Sequence, residues 1–416
     1  MTNEKIIGDT NDLHPEIIAS SQQSTYRWVM LALVWLSYAA FGLVSRSIAP
    51  LITPILSDLD MSYGQMGFVL GSWQLTYIGV GIIAGSITDR FGVRAAVFAG
   101  ILIMCLSAVL RYFANGFIPF LFTVMLFGTG APLISIGAPT AISHWFSGKS
   151  RGIAVGIYTT AISVGGLIAF STTNSLIMPL VGFSWRLTFV YFGLATFIIA
   201  VIWLLGARDA RHADSSTEMS IAHVFPRLIK VSTIRIIFLG GLLAFCTSHG
   251  LTNWLPNLFE SRGMSATEAG FMASIPVFTG IFSVLFIPSL SPPRFRGKMV
   301  SIMAIANVLS IVLLAITGGA FMVTGLIIFG ISGFAIFPLL MLLLMDTPEV
   351  ESNIIGLASG VFFAVAEIGG FSGPLIIGTL FDITGSFLSG VIFLVVLNLI
   401  IMALAFNLKT LPLRPV

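Results

Sequence analysis

The sequence predicts an all-α membrane protein, with twelve transmembrane helices in two pseudo-symmetric six-helix halves. Three observations carry this reading. The charged fraction is 9% and the hydrophobic fraction 56%, against roughly 25% charged residues in an ordinary soluble domain. Apolar stretches long enough to cross a bilayer recur twelve times. The longest internal polar stretch, 207–232, divides them six and six.

A transmembrane helix needs about 20 apolar residues. The stretches fall near 28–56, 66–87, 95–113, 118–145, 152–177, 186–206, 234–259, 267–289, 299–317, 320–345, 354–380 and 387–407. The 42 Gly suit this reading, because glycine lets transmembrane helices pack closely. The domain plan is then a tail (1–26), a first half (27–206), a central loop (207–232), a second half (233–408) and a second tail (409–416). The first 26 residues lack the basic-then-apolar plan of a cleaved signal peptide and are expected to be a cytoplasmic tail.

Orientation follows from Lys and Arg. With the N-terminus inside, sixteen of the 20 Lys and Arg fall on the inner side. Arg111, Arg186 and Arg262 fall outside, and Arg46 within a span. Both termini are therefore expected to be cytoplasmic. The acidic 346–353 loop dissents, but acidic residues weigh little in the rule.

The halves echo each other. Gly152-Ile153-Ala154-Val155-Gly156 opens span five and Gly356-Leu357-Ala358-Ser359-Gly360 opens span eleven; each is followed by a pair, Gly165-Gly166 and Gly369-Gly370. Arg90-Phe91 after span two is matched by Arg294-Phe295 after span eight. Repeated halves with a site at their interface are a recurring plan of secondary transporters.

At span two a known signature appears. Gly85-Ser86-Ile87-Thr88-Asp89-Arg90-Phe91-Gly92-Val93-Arg94 resembles the loop 2–3 motif of the major facilitator superfamily, in the loop where that family carries it. The resemblance implies the major facilitator fold, alternating access, and a conformational gate formed by Gly85, Asp89, Arg90, Gly92 and Arg94. It also implies that Asp89 faces a helix N-terminus or a basic partner. Narrower segments are similar to the cyanate/nitroimidazole transporter group: Arg46 with Ala49-Pro50-Leu51, Leu110-Arg111, Trp254-Leu255-Pro256, Gly263-Met264-Ser265-Ala266, and Phe337-Pro338-Leu339-Leu340 through Asp346. The fuller loop 2–3 motif and Glu367 depart from that group, so no substrate is carried over from it.

The polar residues at depth are the candidate site. An Arg within a span costs from about 2.5 to over 10 kcal/mol unless it meets a partner, water or a ligand. Arg46 is therefore either an anion contact or a snorkelling or paired cation. Glu367 is the only acid deep in a span. It is a candidate proton-coupling residue, the alternative being a structurally paired acid. His249, Asn253 and Trp254 complete the candidate substrate-binding set. Arg111 reads as an interfacial anchor. Cys105 and Cys246 lie in apolar segments as core residues. No metal-ligand spacing, phosphate loop or nucleophile elbow is present, so neither an enzyme nor a cofactor is expected.

The first function expected is a secondary active transporter of a small organic or inorganic anion, by proton-coupled symport. A proton-coupled drug efflux antiporter on the same fold is the second. A membrane-embedded sensor or enzyme is the third, and the 207–232 loop is short for a sensor's partner domain. The partners implied are an anionic small molecule, protons and the lipid bilayer of the cytoplasmic membrane, with no nucleic acid, for a monomer.

Overall fold

The computed structural model describes residues 15–209, 221–351 and 354–408. Among them twelve helices are long and apolar enough to cross a membrane: Thr25–Leu59, Tyr63–Phe91, Val93–Phe113, Phe117–Trp145, Gly148–Leu180, Trp185–Gly206, Ser232–Glu260, Ala266–Phe286, Pro293–Ile316, Gly319–Asp346, Ile355–Thr384 and Phe387–Asn407. We number them spans one to twelve. Leu205, Ile316 and Phe321 are among the large apolar side chains left on the outer surface, an arrangement suited to lipid rather than water.

Pairings within the halves repeat. Spans one and five, two and four, three and four, and three and six pack together in the first half. Seven and eleven, eight and ten, nine and ten, and nine and twelve do so in the second. The halves meet along spans two and eleven and along spans five and eight. The glycine pairs of the sequence echo explain this symmetry. A Cβ on Gly165 would strike the Ala39 carbonyl and Leu43 nitrogen of span one; a Cβ on Gly369 would strike the Leu242 carbonyl and Cys246 nitrogen of span seven. Each glycine thus lets two backbones touch.

Alternating spans put Arg27, the 90–94 turn, Lys149, Arg151, Arg208, Arg227, Lys230, Arg235 and the 294–298 turn on one face, called here the basic face; Arg111, Arg186 and Arg262 lie towards the opposite face. Arg111 departs from the expected anchor. It is 1% exposed, with Ser47 and Ser107 as hydrogen-bond acceptors and the Phe189 ring 4.8 Å from its guanidinium carbon. It holds helices together rather than reaching the interface. Asp346 pairs with Arg296 at the basic face.

Span one is not continuous. Its long helix ends at Arg46, a 3-10 turn covers Ala49–Leu51, and a second helix runs Ile52–Leu59. Pro50 accounts for the break, since its ring clashes with the carbonyl four residues earlier, that of Arg46, and it has no N–H to donate. The break leaves Arg46 in the last turn of a helix, where the macrodipole favours a cation.

Candidate functional site

A cavity of about 1240 Å³ lies between the halves. Spans two and eleven seal its far end. There, a Cβ on Gly67 would strike the Pro374 carbonyl, one on Gly71 the Phe371 carbonyl, and one on Gly378 the Tyr63 carbonyl. Further links cross the halves on that side. Asn174, which also donates to the Pro50 carbonyl of its own half (2.9 Å), donates to the Ala266 carbonyl of the other (3.2 Å), Asn257 donates to Thr53 (2.8 Å), and Thr53 donates to Glu260. Towards the basic face the same helices splay. Gly79, Gly81 and Gly85 of span two, Gly152 and Gly156 of span five, and Gly356 and Gly360 of span eleven have no atom within 4 Å of a Cβ placed on them. The cavity is lined there by Gly81, Ile82, Thr159, Gly356 and Gly360, so it opens on the basic face.

The structure brings Arg46, His249, Asn253 and Glu367 into this one cavity. Arg46 is half-buried, and among the described residues its guanidinium makes no hydrogen bond and no ion pair. Its stem lies over Gly166, where a Cβ would come 3.2 Å from Arg46 Cγ. Among the described residues Arg46 is the only Lys or Arg lining the cavity. It lies within Coulombic reach of both Glu367 and His249 without pairing to either. The register that matches Ala39 with Leu242 and Leu43 with Cys246 also matches Arg46 with His249. The two halves therefore present one basic side chain each, at equivalent positions.

Glu367 is 3% exposed, and its Oε2 is buried with no hydrogen-bond partner. Beside it stands Gln74 of span two, which the sequence reading did not single out. Gln74 is fully buried. Its Nε2 lies 3.1 Å from Nδ1 of His249, a link across the halves, while its Oε1 has no partner. Gly370 leaves the space between the two side chains: a Cβ there would be 3.0 Å from Glu367 Oε2 and 3.2 Å from Gln74 Nε2. A lone amide within an apolar span was the available signal for Gln74, since such groups must find partners inside the protein.

Trp254 is placed differently from the expectation. It is 1% exposed, donates to the Pro374 carbonyl (2.9 Å) and stacks on Tyr63 at 5.6 Å. It belongs to the sealed end, not to the cavity wall, because its indole packs among Tyr63 of span two, Pro374 of span eleven and Phe387 of span twelve. Asn253 lines the cavity, but its Nδ2 is engaged with its own helix at the His249 carbonyl (2.9 Å).

The loop 2–3 residues are also arranged otherwise than expected. Asp89 is exposed and, among the described residues, has no hydrogen bond or ion pair. The acid at the start of span three is Asp209, whose Oδ1 accepts from the Arg94 N–H at 2.9 Å. Gly92 turns the chain there with φ +81°. Arg94 donates to the Leu204 carbonyl (2.7 Å), Arg90 lies over Phe91, and Gly85 faces open space.

Comparisons with known proteins place this architecture. The chain is 23% identical to the uncharacterized transporter YycB of Bacillus subtilis (strain 168), over 88% of this chain and 90% of that one. It is also 23% identical to the probable galactarate/D-glucarate transporter GudP of the same organism, over 91% and 90%. Neither is named for cyanate or nitroimidazole, so the narrower resemblance finds no support in these names. The fold matches the crystal structure of a bacterial homolog of the human lysosomal transporter Spinster, inward-facing and unoccupied, with TM-score 0.76 and 19% identity, covering 92% of this chain and 97% of that one. These relatives are transporters, not enzymes. The sequence pattern described as Major Facilitator Superfamily matches residues 34–374, and with its twelve spans the chain belongs to the Major Facilitator Superfamily.

Proposed function

We propose that this protein is a secondary active transporter that moves a small organic anion across the cytoplasmic membrane by alternating access, coupled to protons. One observation carries the reading: Arg46, at a proline-broken helix end, faces the cavity with no partner among the described residues. A guanidinium at depth in a membrane span is costly to leave unpaired, and a ligand anion meets that need with two parallel hydrogen bonds. GudP, similar over most of its length, is named as a probable galactarate/D-glucarate transporter, which supports an anionic cargo.

Alternating access rests on the uneven contact between spans two and eleven. Their glycines touch backbone at the sealed end and meet nothing at the basic face. Rocking about the midplane would exchange the two arrangements. The basic face is assigned to the cytoplasm by its excess of Lys and Arg, which makes the structure inward-open. Glu367 is assigned the proton, because its buried, unpartnered Oε2 stands in the same cavity as Arg46. An anion on Arg46 would mask that cation and favour proton uptake by Glu367.

A drug antiporter remains the second reading, favoured by the aromatic lining and by the single acid among the lining residues. Uptake of a weak organic acid into proteoliposomes discriminates between them. Neutralising Arg46 stops an anion carrier and leaves a cationic-drug exporter running.

A further inference from the structure

We propose that the ligand of this cavity is a monocarboxylate on an aromatic body, rather than a diacid. The proposal rests on the reading of Arg46 as the anion contact and adds what the rest of the molecule must be.

Charge sets the number of carboxylates. Among the described residues Arg46 is the only Lys or Arg in the lining, and Glu367 the only acid. A second carboxylate on the ligand would find no cation within the cavity and would stand against Glu367. His249 does not supply one freely, because its Nδ1 is engaged by Gln74. The site therefore matches one negative charge.

The wall sets the body. What it offers is ring surface. Phe245 and Phe337 lie 4.4 Å apart between ring centres, and Phe363 stands 5.8 Å from each. Tyr77 of the opposite half approaches Phe363 at 5.8 Å. Spans two, seven, ten and eleven thus build an aromatic wall in the cavity that also holds Arg46, and rings pack well edge-on or offset against such a surface.

The test uses the full chain in lipid nanodiscs, with binding followed by ligand-induced thermal stabilisation and by calorimetry. The probes are 3-phenylpropionate, its neutral amide, D-glucuronate and D-glucarate. The expected result is that 3-phenylpropionate half-saturates at a concentration at least ~10-fold below that of the amide and of both sugar acids. That factor corresponds to about 1.4 kcal/mol. Arg46→Ala should erase the preference for acid over amide. Phe337→Leu should weaken 3-phenylpropionate several-fold, and Phe363→Leu serves as a second wall variant should the first fold poorly. Tighter, Arg46-dependent binding of glucuronate or glucarate would overturn the aromatic assignment while leaving Arg46 as the anion contact. Equal binding of acid and amide, unchanged in Arg46→Ala, would overturn both.

Discussion

Asp382, near the end of span eleven, accepts hydrogen bonds from the backbone N–H groups of Tyr63 (2.9 Å) and Gly64 (2.7 Å) at the start of span two. One half thereby caps a helix of the other, on the sealed side of the cavity. A carboxylate at a helix N-terminus contributes about 0.3–2 kcal/mol. We expect Asp382→Ala to loosen this closure, with amide exchange at Tyr63 and Gly64 several-fold faster. Unchanged exchange at both would show that the closure holds without Asp382.

The loop 2–3 motif offers the reverse arrangement. Asp89 ends span two and is unpaired here, while span eleven begins at Ile355 with no side-chain cap on its first N–H groups. Our account has Asp89 reach that helix start when the cavity closes on the basic face. Asp89→Asn should then weaken the closed state by about 0.3–2 kcal/mol and speed labelling of a Cys placed at Gly360. Normal transport together with normal labelling would exclude the lock.

Glycines on the open side should be needed for closure and not for folding. Gly360 has space around it, so Gly360→Leu fits the structure described here and gains helix propensity of roughly 0.8–1 kcal/mol. The variant should melt no lower than the parent, bind ligand, and fail to transport. Full transport by Gly360→Leu would mean that spans two and eleven do not meet on this side.

Glu367→Gln keeps the shape of the carboxyl but cannot exchange a proton. Uphill transport driven by a pH difference should stop, whereas solute exchange, which needs no net proton movement, should continue. If the variant still concentrates solute under an imposed pH difference, Glu367 is structural and the proton travels elsewhere.

Much of this was legible in the sequence because hydropathy, glycine pairs and a loop motif are local signals. Twelve apolar stretches gave the spans, and Gly165-Gly166 with Gly369-Gly370 marked the crossings with spans one and seven. Arg46 and Glu367 stood out because charge inside a bilayer demands an explanation. The rest depended on which residues the packing brings together. Trp254 reads as a cavity residue until its indole is seen on the Pro374 carbonyl. Gln74 gains meaning only when span seven places His249 beside it. Asp382 and Asp209 look like loop acids until each is found on another helix's N-terminus. Asp89 carries the family motif, yet the acid that caps span three here is Asp209, a contact more than a hundred residues away in the chain.

The central claim is that Arg46 grips the anion, and calorimetric titration of a small carboxylate into the parent, Arg46→Lys and Arg46→Ala proteins tests it most directly. Charge-assisted hydrogen bonds contribute about 1.5–3 kcal/mol each, and Lys cannot reproduce the two parallel bonds of a guanidinium. Binding should weaken by at least ~10-fold in Arg46→Lys and fall below detection in Arg46→Ala, with both variants inserted and folded. Affinity unchanged in Arg46→Ala would remove Arg46 from the site and contradict the account.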